Sequence, residues 1–340
     1  MPLTVALIRT RYLGDTILLV PLIRAIQSFD RSARIVAIVN EGTTYPLERF
    51  PGVELHSLAR SGSLARGIST VRLSGVLRKI RPDLLLDLTV SDRSRWLSRA
   101  SGARRSGAAG EAADLARGPW EIRIPVDLNR GPESIVAMHG HLLSALGIPM
   151  GESLEKAYFP DPQWIARAGR WIRERDLESV PILFLHPGGR HWFKRWPPDR
   201  FARLAALWME KNDGAVIVAA TGGERTLADS VLSGVGKGRI FPLIGTPVGL
   251  LDALIRRARV FVGNDSGPLH MADAAHVPLV GLFGSTLPAV WGPTSSPRRE
   301  IAYIRKDCSP CHHTGCSLGG ENCLASLSVT DVFKKVESLL

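Results

Sequence analysis

Four stretches of the 340-residue chain place reactive or anion-binding residues where a turn would present them to a ligand. Residues 260–270 read VFVGNDSGPLH. Val260, Phe261 and Val262 read as the end of a buried strand and residues 263–266 as a turn. Pro268 then sits in a helix's first turn, where a missing N–H is tolerated. A strand that stops there and restarts as a helix aims unpaired N–H groups at one point, a ready site for an anion such as a diphosphate. Asp265, Ser266, Gly267 and His270 are its candidate binding residues. The same letters also suit an ordinary connection capped by Asp265 or Ser266. Residues 186–196, HPGGRHWFKRW, follow another apolar run. Gly188 and Gly189 let backbone approach a ligand closely, and Lys194, Arg190 and Arg195 could neutralise phosphate. The Gly-Lys-Ser/Thr order of a Walker loop is absent. Thr221-Gly222-Gly223-Glu224 is a glycine-rich turn ending in an acid that could hold a ribose hydroxyl. Behind Gly14, Asp15 stands after the first apolar run, as a general base or as a helix cap.

The four cysteines, Cys308, Cys311, Cys316 and Cys323, fall within sixteen residues in a C-x2-C-x4-C-x6-C pattern, with His312 and His313 inside. In a cytosolic chain such crowding favours thiolate metal ligation over disulfides. A structural zinc is the expectation, with reduced thiols, a disulfide or an iron–sulfur site as alternatives.

The elements that must position these groups alternate. Residues 4–9 (TVALIR), 34–39 (RIVAIV) and 84–88 (LLLDL) read as buried strands. A loop over 10–15, a helix over 16–29 disturbed by Pro21, and a helix around 71–79 lie between them. Proline and glycine accumulate over 147–162, which places a hinge there. The alternation then restarts with helix 164–176, strand 182–186, helix 198–211, strand 215–220, helix 225–232, strand 260–262, strand 279–283 and a terminal helix 329–339. This pattern predicts parallel sheets covered on both faces. The expected fold is therefore α/β, two Rossmann-like doubly wound domains over residues 1–160 and 161–340. The first half lacks a G-x-G-x-x-G fingerprint. Ligand is expected in the cleft where the carboxyl ends of the two sets of strands face each other.

A composition of 45% hydrophobic and 22% charged residues is that of a globular protein. Residues 274–297 carry no charge, but four prolines and three glycines break them into a core strand with loops. The apolar run over 3–8 is too short for a signal peptide, so the chain reads as cytosolic. The net charge of +11 is uneven: residues 60–105 hold eleven Arg or Lys against Asp83, Asp87 and Asp92. Such an excess suits an anionic membrane face, an acidic substrate or a nucleic acid. Nucleic acid is disfavoured, because no binding module is recognisable and only Trp96 is interleaved with the arginines.

Taken together, LIRTRYLGDTILLVPLIRAI, HPGGRHWFKRWP and VGNDSGPLHMADAAHVPLVGLFGST, in this order from Leu7 onward, resemble glycosyltransferase family 9, the heptosyltransferases of lipopolysaccharide core assembly. The resemblance implies a GT-B fold and inverting transfer of a heptose from ADP-heptose to a lipid-linked oligosaccharide at the inner face of the cytoplasmic membrane. It implies an acceptor-binding first domain and a donor-binding second domain, the latter ending in the cysteine-rich segment 308–323. By position, Asp15 matches the family's base and Lys194 the lysine on the donor phosphate. Gly188 and Gly189 match donor-phosphate contacts, often Thr or Ser in the family, and so leave only backbone donors there. Glu224 matches the acid near the adenosine, and Asp265, Ser266, Gly267 and His270 match the donor-binding turn. The basic window fits a phosphorylated lipid acceptor beside an anionic leaflet, with Gly14, Arg93, Arg95 and Arg99 as its contacts. The chain holds no Asp-x-Asp pair, so no cofactor or divalent metal is expected in catalysis. Another nucleotide-sugar transferase, a nucleotide-sugar epimerase and a non-catalytic nucleotide binder are the competing readings.

Overall fold

The computed structural model describes residues 2–128, 131–311, 315–316 and 322–340. The chain divides into two compact units, Met1–Phe159 and Pro160–Leu340. In the first, strands β1 (Thr4–Arg9), β2 (Arg34–Asn40), β3 (Val53–Leu58), β4 (Leu84–Asp87), β5 (Arg105–Gly110) and β6 (Ile122–Pro125) form one sheet in the order β3-β2-β1-β4-β5-β6. In the second, β7 (Ile182–His186), β8 (Ala215–Ala220), β9 (Ile240–Ile244), β10 (Val260–Asn264), β11 (Leu279–Phe283) and β12 (Arg299–Tyr303) form another in the order β12-β11-β10-β7-β8-β9. Every neighbouring pair is parallel. Counted from its own first strand, each sheet has the order 3-2-1-4-5-6.

This order reverses direction once in each sheet, between β1 and β4 and between β7 and β10. Chains leaving two such strands part to opposite sides, and the crevice at their carboxyl ends is where doubly wound sheets bind ligand. Ile8 lies beside Asp87 at the first of these points, and Gly263 beside His186 at the second.

The central strands are continuous apolar runs because both faces are covered. β7, β8, β10 and β11 are buried at every residue. Phe184 and Phe261 stack across β7 and β10 at 5.8 Å. The strands that apolar runs did not disclose are the four edges, β3, β6, β9 and β12, and β5. Edge strands are half solvated and tolerate Pro242 or charges, and β5 (RSGAAG) is made of small residues under covering helices.

The expected helix over 16–29 is two helices, Leu13–Ile17 and Val20–Phe29. Pro21 lies in the first turn of the second, where its missing N–H leaves no gap. Gly14 and Asp15, expected in a loop, stand inside the first.

The helix Gly267–Ala274, which follows β10, is anchored from its far end. The buried carboxylate of Asp273 accepts the backbone N–H groups of Thr294, Ser295 and Ser296 at 2.9, 2.9 and 2.8 Å. Removing it would strand these donors away from water. Asp273→Ala is expected to lower the free energy of unfolding by about 2–4 kcal/mol in a urea titration, and a loss under about 0.5 kcal/mol would show that the loop is held otherwise.

Candidate active site

At the second reversal point, Asn264 ends β10 fully buried. Its Nδ2 donates to the carbonyls of Pro187 and Gly188 at 2.9 and 3.0 Å, and its Oδ1 accepts the Trp196 N–H at 3.0 Å. One side chain therefore clamps both ends of the loop that leaves β7. Glu224 arrives from the turn after β8. Its Oε1 accepts the Gly189 N–H at 2.9 Å, while Oε2 accepts the N–H and hydroxyl of Thr221 at 3.2 and 2.7 Å. A Cβ at position 188 would lie 2.7 Å from both carboxylate oxygens, so a side chain there would push the Glu224 carboxylate aside. Burial raises the Glu224 pKa, but the Thr221 hydroxyl and the Gly189 N–H outweigh it and hold the carboxyl below its ordinary range. In this structure Glu224 is thus a strut that shapes the loop carrying Gly188 and Gly189.

Asp265 and Ser266 do not behave as simple caps. Ser266 occupies the cap position of the helix Gly267–Ala274, yet makes no side-chain cap bond. Its hydroxyl donates to Asn264 O at 3.0 Å and stands 3.2 Å from His186 Nδ1. Burial, aided by the Arg195 charge and opposed by Glu224, pushes the His186 pKa down to about 4, so this imidazole is neutral near pH 7. The Asp265 carboxylate accepts the Thr286 hydroxyl at 2.8 Å and the Lys194 ammonium at 3.3 Å. His270 is buried in the helix's first turn. The structure therefore brings Gly188, Gly189, Lys194, Glu224, Asp265, Ser266, Gly267 and His270 to one end of one sheet. A helix start without a side-chain cap, a glycine pair and a lysine together suit a diphosphate.

At the first reversal point the organiser is Arg9, the buried last residue of β1. Its guanidinium donates to the Leu88 carbonyl just beyond β4 and to the Asp15 carboxylate. The other Asp15 oxygen accepts the Tyr12 N–H at 3.1 Å. Asp15 is thus tied into the first turn of its helix and held in a fixed direction by a cation. A carboxylate can still accept a further proton donor in this arrangement, since its two oxygens offer about four acceptor positions. Burial lowers the Arg9 pKa, and the Asp15 charge opposes the fall. Close by, burial and the charges of Arg9 and Arg11 drive the pKa of His139 well below its ordinary value.

The basic window divides into structural and exposed arginines. Arg93 donates to Ala59 O at 3.0 Å, Thr70 Oγ1 at 3.1 Å and Ser69 Oγ at 3.2 Å. Arg95 is buried, donating to Asp92 at 2.6 Å and to the Asp114 carboxylate and carbonyl at 3.2 and 3.0 Å. Both arginines, expected to meet an acceptor, are already held within the protein, Arg93 by carbonyls and hydroxyls and Arg95 by carboxylates and a carbonyl. Arg99 is exposed, and Gly14 is buried in the helix Leu13–Ile17.

All four cysteines are free thiols. Burial and the neighbouring cysteines, Cys308 foremost, push the Cys311 thiol up to about 11. Among the described residues no group of three or more His, Cys, Asp or Glu side chains stands ready to hold a metal ion. His312 and His313 lie outside the described residues. The tail braces the loops: Asn322 Nδ2 donates to Trp192 O and Arg195 O at 3.2 and 3.0 Å, and the Cys311 N–H donates to Ser285 O at 2.6 Å.

Sequence reasoning assigned no role to Arg9, Asn264, Thr286 or Asn322. Arg9 and Asn264 had a signal, a polar residue closing an apolar strand run. Thr286 and Asn322 had none, because their partners lie far along the chain.

The model of glycosyltransferase family 9 (heptosyltransferase) matches residues 70–321. The chain is 27% identical over 247 residues to lipopolysaccharide heptosyltransferase 1 of Pseudomonas aeruginosa, a match covering 71% of this chain and 65% of that protein. It is 24% identical over 293 residues to lipopolysaccharide heptosyltransferase 3 of Escherichia coli K12, covering 83% of each. A glycosyltransferase family 9 structure from Veillonella parvula aligns with a TM-score of 0.84 at 21% identity, over 99% of this chain and 96% of that one. The structure of E. coli ADP-heptose lps heptosyltransferase II aligns with a TM-score of 0.75 at 20% identity, over 99% and 98%. The fold is that of the GT-B heptosyltransferases, and the chain belongs to glycosyltransferase family 9.

Proposed function

We propose that the chain transfers a heptose from ADP-heptose to an anionic, lipid-linked core oligosaccharide in lipopolysaccharide biosynthesis, with inversion at the anomeric carbon, working at the inner face of the cytoplasmic membrane. The observation that carries this reading is the meeting of the Gly188–Gly189 loop, Lys194 and the start of the helix Gly267–Ala274 at the reversal point of the second sheet. E. coli heptosyltransferase WaaC, which shares the fold at a TM-score of 0.73, has been crystallised with ADP and, in a second structure, with ADP-2-deoxy-2-fluoro heptose.

The chemistry is a single displacement. The acceptor hydroxyl oxygen attacks the anomeric carbon, the bond from that carbon to the β-phosphate oxygen breaks, and ADP departs with the electron pair. Asp15 takes the hydroxyl proton, and Arg9 keeps its carboxylate aimed while it does so. Negative charge grows on the departing diphosphate, where Lys194 and the backbone N–H of Gly267 at the start of its helix receive it. The donor phosphate then shares Lys194 with Asp265. One displacement on one face accounts for inversion.

Asp15→Asn keeps the shape of the side chain but is a very poor proton acceptor. It should lower kcat by about 10²–10⁴-fold while ADP-sugar affinity stays within a few-fold, and unchanged turnover would reduce Asp15 to a helix cap. Turnover should also survive dialysis against EDTA, because the charge of the leaving group is met by Lys194 and backbone donors. Activity that vanished in EDTA and returned with magnesium would refute that part of the mechanism.

A further inference from the structure

The helix Ser63–Ile80 has two apolar faces, and only one is covered. Leu73 and Leu77, with Ser69, are buried against the first unit's sheet. Leu64, Ile68 and Val71 recur at the spacing that puts them on one face of a helix, opposite the buried set, and are 76%, 59% and 69% exposed. Arg72, Arg78 and Lys79 are exposed around the same outward face, and the helix holds no Asp or Glu. On the adjoining helix Asp92–Ala100, Trp96 is 56% exposed. Arg93 fastens this exposed helix to the body of the unit through its bonds to Ala59, Ser69 and Thr70, so the helix is a rigid part of the surface.

We infer that the helix Ser63–Ile80 lies flat on an anionic lipid surface, with Leu64, Ile68 and Val71 entering the acyl boundary and Arg72, Arg78 and Lys79 meeting the headgroups. Charge complementarity selects this occupant: an outward face with an apolar stripe, a basic border and no acid fits a negative bilayer surface. No helix among the described residues is long and apolar enough to cross a membrane, so this contact is in the plane of the surface. The geometry also has a use. Arg60, just before the helix, packs its guanidinium 5.8 Å over the Tyr12 ring, and the Tyr12 N–H holds the Asp15 carboxylate. A chain seated on lipid by this helix therefore keeps its base close to the plane from which a lipid-linked acceptor rises.

The inference deepens the reading of a membrane-borne acceptor, and vesicles that contain no acceptor test it separately. The full chain is sedimented with vesicles of phosphatidylglycerol and phosphatidylethanolamine, or of phosphatidylcholine alone. The wild-type chain should partition at least about tenfold more strongly onto the anionic vesicles, and less so at high salt. Leu64→Ser/Ile68→Ser/Val71→Ser and Arg72→Gln/Arg78→Gln/Lys79→Gln should each reduce that partitioning about tenfold. The serine variant should retain wild-type circular dichroism and kcat on a delipidated, soluble acceptor. Equal partitioning of wild type and the serine variant would overturn the inference. So would a serine variant that binds vesicles normally but loses self-association in sedimentation velocity. Normal vesicle binding without any heptose transfer would leave the lipid surface standing and remove the proposed reaction.

Discussion

The clamp made by the buried Asn264 amide is the constraint on which the second unit's site depends. Two N–H groups hold the carbonyls at the start of the loop leaving β7, and the amide oxygen holds the N–H at its end. That loop carries Gly188, Gly189 and Lys194, and β10 continues from Asn264 into Asp265, Ser266 and the helix Gly267–Ala274. A single side chain thus sets the position of the loop that carries Lys194 against the helix start that can donate to an anion. Buried polar bonds of this kind are costly to leave half made, about 1–3 kcal/mol for each orphaned group, which makes the arrangement a discrete state rather than an average. Glu224 and Asn322 hold the same loop from two other directions.

The first unit solves an equivalent problem with charge. Arg9 bridges β1 and the chain beyond β4 at the reversal point of its sheet, and its Nη2 holds Asp15. The two sheets share one strand order, so both candidate sites sit where that order opens a crevice at the strand ends. Burial keeps the flanking histidines neutral: His186 is pushed down to about 4 and His139 well below its ordinary value. In the first unit Arg9 pairs with Asp15, and in the second Lys194 pairs with Asp265 and Arg195 with Glu224, so an added phosphate in the second unit finds its cations already partnered.

Fold class was legible in the sequence wherever a strand is covered on both faces. The runs TVALIR, RIVAIV, LLLDL, ILFLH, AVIVAA, VFV and LVGLF all lie inside a sheet rather than at its edge. VELHSL, IRIP, IFPLI and REIAY stand at edges, where half-exposure removes the apolar signal. RSGAAG carries no bulky residue to reveal it. The turn chemistry around 186–196, 221–224 and 260–270 was legible because glycine, proline and short polar residues act locally. The partners of Arg93 and Arg95 were not legible for the opposite reason: an arginine's partners are set by tertiary structure, and these two are met by Ala59, Ser69, Thr70, Asp92 and Asp114. The roles of Thr286 and Asn322 depend on contacts made by distant loops and had no local pattern.

The claim that everything else leans on is that the reversal point of the second sheet grips a diphosphate. A crystal structure of the chain soaked with ADP tests it most directly. The account predicts the β-phosphate oxygens within about 3 Å of the backbone N–H of Gly267, with the Lys194 ammonium turned toward them. Diphosphate bound elsewhere, with the loop from 187 to 196 and the start of the helix Gly267–Ala274 both untouched, would contradict it.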